Sequence, residues 1–211
     1  MIAASAAKSR LPAHAPGMRI GLFGGSFNPP HAGHRHAALV ALKRLRLDRI
    51  WWLVTPGNPL KQNSGLPPLA ARLAAAAAVA SHPRISVTGI EAAIGTHYTH
   101  DTLLWLRRHC PGVRFVWIMG ADNLRGFHRW WRWRDIARLL PIAIVDRPQA
   151  TLNVAGSRVA QALARYRIDE SGAALLAGRR APALAILHGP RSALSSTQLR
   201  AAGQKLTSPR S

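Results

Sequence analysis

Residues 24–34 read GGSFNPPHAGH, directly after the apolar run MRIGLFG (18–24). Two histidines three apart in such a loop suit metal ligation, proton transfer or anion binding. As zinc ligands, His31 and His34 lack companions, because no carboxylate or cysteine stands at a suitable spacing to complete the set. As core residues they are poorly placed, in a tight polar loop. Anion binding accounts best for the neighbours, with structural and metal roles left as alternatives. Gly24 and Gly25 let the backbone come close to a ligand, Ser26 and the following amides can donate to phosphate oxygens, and Pro29 and Pro30 stiffen the loop. Gly33 and His34 open a helix whose amides and dipole favour an anion.

Two common phosphate fingerprints are missing. No G-x-x-x-x-G-K-[ST] occurs, and GLFGGS does not complete G-x-G-x-x-G. A second donor-rich stretch lies at the far end, LSSTQLR (194–200). There Ser195, Ser196 and Thr197 read as an N-cap cluster, with Arg200 one turn into the helix.

Short apolar runs position these residues: 18–24, 49–55, 84–88, 114–120, 141–147 and 182–189. Each is followed by Gly, Pro or Asn and then by a helical pattern, over 33–47, 67–81, 99–109, 134–140, 154–166 and 195–203. Runs that are apolar throughout predict strands buried on both faces, and intervening helices predict parallel crossovers. The expected fold is a Rossmann-like, doubly wound, mainly parallel sheet of five to six strands with helices on both faces. Ligands bind such sheets beyond the carboxyl ends of the strands, near the reversal of strand order.

The 211 residues suit one such domain, over 18–206, after a flexible extension over 1–17. No stretch is long and apolar enough to span a membrane, and no apolar leader stands at the N-terminus. Cys110 is the single cysteine, which fits a reducing cytoplasm, and it reads as a helix-end residue. The chain carries 29 basic residues, 25 of them arginine, against 8 acidic ones, a net charge of +21. That surplus attracts polyanions, although arginine and alanine enriched together also suggest a compositional bias. No dense basic arm marks a specific nucleic-acid binder.

GGSFNPPHAGH resembles the (G/S/T)-x-F-x-P-x-H-x-G-H signature of the nucleotidyltransferase superfamily, and LSSTQLR resembles its I-S-S-T-x-x-R. The segments between resemble bacterial nicotinate-nucleotide adenylyltransferases. TPGNPLKQ (55–62) keeps Lys61, with Leu60 where histidine is usual, and HYTHDTL (97–103) has His97 for serine. IMGADNLRGFHRWWRW (118–133) and VDRPQA (145–150) complete the likeness, the latter with Gln149 for glycine. Phosphopantetheine adenylyltransferases share H-x-G-H but not this aromatic and Y-T-x-D-T set.

The resemblance implies adenylyl transfer from ATP to nicotinate mononucleotide, with pyrophosphate released. Acceptance of nicotinamide mononucleotide or phosphopantetheine is the close alternative, and a basic nucleic-acid-binding protein the distant one. His31 and His34 would hold the α- and β-phosphates, Lys61 and Arg200 the leaving pyrophosphate, and Ser195–Thr197 its other oxygens. Gly24, Gly25, Ser26, Phe27, Gly120 and Asp122 complete the ATP side, Asp122 accepting from ribose hydroxyls unless it merely caps the next helix. Ser26, Lys61, Tyr98, Thr99 and Arg147 would contact the nicotinate nucleotide. For Trp130 a stacking face against the pyridine ring is favoured, and for Trp133 apolar packing. Trp51 and Trp52 read as core, and Asp101 as structural support. Mg²⁺ would arrive on the ATP phosphates, with no metal ligand from the protein. Cytoplasmic location and no membrane partner are expected, and a homo-oligomer is compatible with the sequence.

Overall fold

A computed structural model describes residues 11–57, 65–146 and 156–188. Six strands form one sheet: β1 Arg19–Gly25, β2 Arg49–Val54, β3 Ile85–Thr88, β4 Arg114–Gly120, β5 Ile142–Val145 and β6 Leu184–Leu187. Their order is β3-β2-β1-β4-β5-β6, and all five pairings are parallel.

Alternation along the strands divides two apolar layers. Ile20 and Leu22 of β1, Trp51 and Leu53 of β2, and Phe115, Trp117 and Met119 of β4 face one layer. Phe23, Ile50, Trp52, Val54, Val116 and Ile118 face the other. The first layer is closed by α4 (Thr99–His109), α5 (Ala121–Phe127), α6 (Trp133–Leu139) and α7 (Arg158–Ala162) through Leu103, Leu106, Leu124, Phe127, Ile136 and Val159. The second is closed by α1 (Ala32–Arg44), α2 (Leu69–Ala80) and a 3₁₀ segment, Glu170–Gly178. The short α3 (Ile90–Ala93) packs beside β2. Helices thus cover both faces, as two-sided burial of the strands requires.

Residues 11–17, expected as part of a loose extension, lie against this body. Leu11 packs on the first layer, the His14 ring meets Trp51 edge-on at 5.7 Å, and the Gly17 amide donates to the Gly112 carbonyl at 2.8 Å. Trp51 and Trp52 are fully buried, and Cys110 is buried at the end of α4. The expected helix over 154–166 is shorter where described: α7 starts at Arg158, capped by the Ser157 side chain accepting from the Ala160 amide, and gives way to a 3₁₀ turn at Ala164–Tyr166. The expected helix over 195–203 lies outside the described residues.

Candidate active site

Strand order reverses between β1 and β4, so their carboxyl ends frame the crevice where this architecture binds ligands. β1 runs out at Gly24 and Gly25 into the 26–31 loop, and β4 ends at Gly120, the N-cap of α5. On the other side of β1, Val54 of β2 stands opposite Gly25, and the Thr55 amide donates to the Gly25 carbonyl.

His31 is the N-cap of α1 and His34 its third residue, and the two close a reciprocal capping box. Nδ1 of His31 accepts from the Gly33 amide at 3.1 Å, and Nδ1 of His34 accepts from the His31 amide at 3.2 Å. An accepting Nδ1 carries no proton, so this hydrogen-bond pattern assigns both rings as neutral imidazoles with Nε2–H donors. The rings therefore donate as dipoles, and fixed positive character comes from the helix end, whose first turn holds no acidic residue. His31 is also buried, at 5% exposure, contrary to the expectation for a polar loop. The reason is aromatic packing: the rings lie 3.9 Å apart, with His34 against Phe27 at 5.0 Å.

Phe27 is itself core. It stacks on Trp52 at 4.8 Å and 12°, so only its main chain is left to meet a ligand. Its φ of 46° is left-handed, strained backbone for an aromatic residue, held by that stacking. Gly24 answers to packing as well. A Cβ there would stand 2.5 Å from the Trp117 ring, so the absent side chain admits a tryptophan from β4 under the loop. Ser26 is half-buried beside them.

The loops after β1 and β2 are joined by Arg72, a residue the sequence reading missed. The residue is 3% exposed, and among the described residues its side chain donates only to carbonyls: Nη1 to Ser26 O at 3.0 Å and Thr55 O at 2.7 Å, Nη2 to Pro56 O at 3.2 Å, and Nε to Pro67 O at 2.9 Å. Burial lowers its pKa from the ordinary arginine value. The available signal was spacing: Arg72, Ala76 and Ala80 form the buried stripe of α2, and a guanidinium heading an apolar stripe must find acceptors.

Tyr98 is the N-cap of α4 and is 42% exposed. Trp130 is half-buried, edge-on to Phe127 at 5.3 Å and Trp117 at 6.2 Å, while Trp133 packs on Phe127. Trp131, not singled out from sequence, lies 5.1 Å from the Tyr98 ring with 47% of its surface exposed, and the Arg132 guanidinium sits over it. Asp122 is exposed in the first turn of α5. Gly120 takes the cap position, so capping is not the work of Asp122. Asp101 pairs with His100 at 2.9 Å, which agrees with a supporting role.

Beneath Tyr98 lies a second missed residue. Glu91 is 5% exposed, with the Thr55 and Thr102 side chains as its hydrogen-bond partners. Burial pushes its pKa from 4.5 up to about 7, against the smaller opposing effect of the two threonines. The native state therefore holds a proton that the unfolded chain releases more readily. The stabilisation is complete below about 4.5 and lost as pH rises through about 7. Chemical denaturation should show Glu91→Gln removing a stability loss on the order of 3 kcal/mol between pH 5 and pH 8. Equal slopes in both proteins would contradict this.

Lys61, Arg147, Ser195, Ser196, Thr197 and Arg200 lie outside the described residues. Among the described residues no three His, Cys, Asp or Glu side chains converge as a metal cage, and no helix is long and apolar enough to cross a membrane.

Comparisons with known proteins agree with this architecture. The Cytidylyltransferase-like family matches residues 22–202. A Methylorubrum extorquens protein named "Probable nicotinate-nucleotide adenylyltransferase" is 61% identical over 87% of this chain and 99% of its own length. A Bradyrhizobium relative of the same name is 59% identical over 87% of this chain and 95% of its own. Among solved structures, the Plasmodium falciparum nicotinic acid mononucleotide adenylyltransferase complexed with NaAD superposes with a TM-score of 0.63 at 17% identity. It covers 87% of this chain and 83% of that one, and bears on the fold alone. With motifs at both ends, a sheet whose order reverses beside the histidine loop, and relatives matched over nearly their whole length, the chain belongs to the nicotinate-nucleotide adenylyltransferase family of Cytidylyltransferase-like proteins.

Proposed function

We propose that this protein transfers the adenylyl group of ATP to nicotinate mononucleotide, forming nicotinate adenine dinucleotide and pyrophosphate in NAD biosynthesis. The observation that carries the reading is the pair of Nε2–H imidazoles fixed at the N-terminus of α1, whose first turn holds no acidic residue, at the switch point of the sheet. The relatives' names and near-complete coverage support the acceptor.

In the reaction, an oxygen of the acceptor's 5′-phosphate attacks the α-phosphorus in line. A new P–O bond forms, the bond to the α,β-bridging oxygen breaks, and pyrophosphate departs with that electron pair. The nucleophile is already an anion near neutral pH, so no protein base takes part. Catalysis reduces to positioning and charge stabilisation. His31 and His34 donate to the α- and β-phosphates beside the amides of α1. Lys61 and Arg200 neutralise the leaving pyrophosphate, and Ser195, Ser196 and Thr197 donate to its remaining oxygens. Main-chain groups of Gly24, Gly25, Ser26 and Phe27 line the phosphates, and Gly120 and Asp122 face the ribose. The donors at the loop are neutral ring and main-chain N–H groups, which suit phosphate oxygens and not a cation, so Mg²⁺ would arrive with ATP and would offset the triphosphate charge. One domain over 18–206, working in the cytoplasm, is the unit proposed.

Ser26, Lys61, Tyr98, Thr99, Trp130 and Arg147 serve the acceptor. Their roles are tested by mixing the protein with ATP, Mg²⁺ and each candidate acceptor in turn and measuring pyrophosphate. Turnover with nicotinate mononucleotide is expected to exceed that with nicotinamide mononucleotide or phosphopantetheine, and equal or better turnover with either would overturn the reading. Removing the ring that stacks on the pyridine should raise acceptor KM about tenfold, the scale of one aromatic contact. Trp130→Ala carries that expectation. If Trp131→Ala alone produces it, the exposed Tyr98–Trp131 pair is the platform instead.

A further inference from the structure

Glu91 is a buried carboxyl to which the reaction above gives no part. It belongs to a chain of hydroxyls between two loops. Thr102 Oγ1, fully buried, lies 3.4 Å from Glu91 Oε1, 3.2 Å from the Tyr98 carbonyl and 2.9 Å from Thr96 Oγ1. Thr55, its partner at the end of β2, has Oγ1 2.7 Å from the Gly57 carbonyl. The Thr96 amide closes the turn onto the Glu91 carbonyl at 2.9 Å.

Each threonine has one hydroxyl proton. If Thr55 donates to Gly57 O and Thr102 to Tyr98 O, neither has a proton left for Glu91, and the neutral Glu91 carboxyl gives its single proton to one of the two hydroxyls and draws on neither. If Glu91 is ionised, it accepts instead, and a hydroxyl that turns to it abandons its carbonyl. The neutral acid therefore holds the Tyr98 carbonyl and the stretch after β2 together, and the anion competes for the same hydroxyls. The other charged or titratable groups on the surrounding elements are Arg72, His97, Tyr98, His100 and Asp101. Arg72 is committed to carbonyls, His100 is paired with Asp101, and His97 and Tyr98 are exposed. Among the described residues, none forms an ion pair with Glu91.

We propose that Glu91 is a positioning residue for the acceptor nucleotide: its carboxyl, acting through Thr102 and Thr55, fixes the 96–102 turn against the end of β2 and so sets acceptor affinity. The inference rests on the adenylyl-transfer reading, in which Tyr98 and Thr99 meet the acceptor. Burial, which raises the Glu91 pKa to about 7, places the loss of this arrangement within the working range.

The test is steady-state pyrophosphate release by wild type, Glu91→Leu and Glu91→Gln between about pH 6 and about pH 8, varying nicotinate mononucleotide and ATP separately. Glu91→Leu should raise acceptor KM about tenfold, with ATP KM and kcat within about threefold of wild type. Glu91→Gln, with an amide that always has hydrogens to donate, should match wild type near pH 6 and keep a lower acceptor KM near pH 8. The ratio of the two proteins' KM values cancels titration of the substrates themselves. A folded Glu91→Leu with unchanged acceptor KM, or with both KM values raised together, overturns the proposal. So does a Gln-to-wild-type KM ratio that stays constant with pH, a result that remains decisive if the leucine variant fails to fold. Wild-type protein inert towards nicotinate mononucleotide would sink the adenylyl-transfer reading and this proposal with it. Normal wild-type turnover with unresponsive variants sinks only the proposal.

Discussion

His34→Ala is expected to lower kcat by about 10² to 10³, with the fold retained. The ring has two tasks whose sizes can be compared. Its Nδ1 accepts the His31 amide, closing half of the capping box on α1. A lost cap costs about 1 kcal/mol of stability, which a domain of this size survives. Its Nε2–H is the proposed donor to negative charge that develops on the phosphates. Removing one preorganised donor from such a site costs about 3 to 4 kcal/mol in the transition state. The catalytic effect therefore dominates.

His34→Gln separates the two tasks. Glutamine is the usual third residue of a capping box, so its side chain can accept the His31 amide and keep the helix start intact. An amide used in that way cannot also place a donor where Nε2 stands. Stability should return to the wild-type value while kcat stays depressed, as thermal melts and pyrophosphate release would show. Wild-type turnover by a folded His34→Ala would remove the ring from the mechanism. Activity that returned with the glutamine would reduce its role to capping.

The sheet was legible because its strands are apolar on both faces: RIWWLV and RFVWIMG offer no polar face, which only a covered parallel sheet accommodates. The histidine loop was legible from residue types alone, and the placement of its Nδ1 atoms was not, because that depends on where α1 begins. Other features were hidden by side chains with two uses. Gly24 reads as a place for a ligand, and its neighbour proves to be the Trp117 ring. Of three tryptophans in WWRW, sequence spacing could not tell that Trp131 would be the one left beside Tyr98. The 3₁₀ segment Glu170–Gly178 buries Ala173, Leu176 and Ala177, a helical spacing too brief to stand out in an alanine-rich chain. Glu91 and Arg72 were missed for a common reason. A charged residue in an amphipathic pattern is normally solvated, and only the tertiary structure reveals the threonine hydroxyls and carbonyl oxygens that each one meets.

Arg72→Ala is the second large effect, expected to cost about 3 to 5 kcal/mol of stability and to lower kcat/KM by about 10² in whatever fraction remains folded. The guanidinium has no carboxylate partner among the described residues, so its contribution lies in satisfying carbonyls rather than in an ion pair. Truncation leaves the oxygens of Ser26, Thr55, Pro56 and Pro67 without that donor, and a buried group left unsatisfied costs about 1 to 3 kcal/mol. Some of the four will be reached by water, which keeps the total below their sum. The loss falls on the candidate site because Ser26 belongs to the histidine loop and Thr55 and Pro56 begin the sequence that carries Lys61, a proposed phosphate ligand. Freed from each other, these loops no longer hold the proposed phosphate donors at one separation, and misplacement of about 1 Å is enough to cost about 10² in rate. Arg72→Lys distinguishes charge from geometry. One ammonium cannot serve acceptors that the planar fork reaches from three nitrogens, so lysine should recover little of either quantity in denaturant unfolding and kinetic assays. A lysine variant with wild-type stability and turnover would mean that the positive charge alone suffices. Recovery by lysine of stability without turnover would instead mean that the loops depend on the fork and the fold does not.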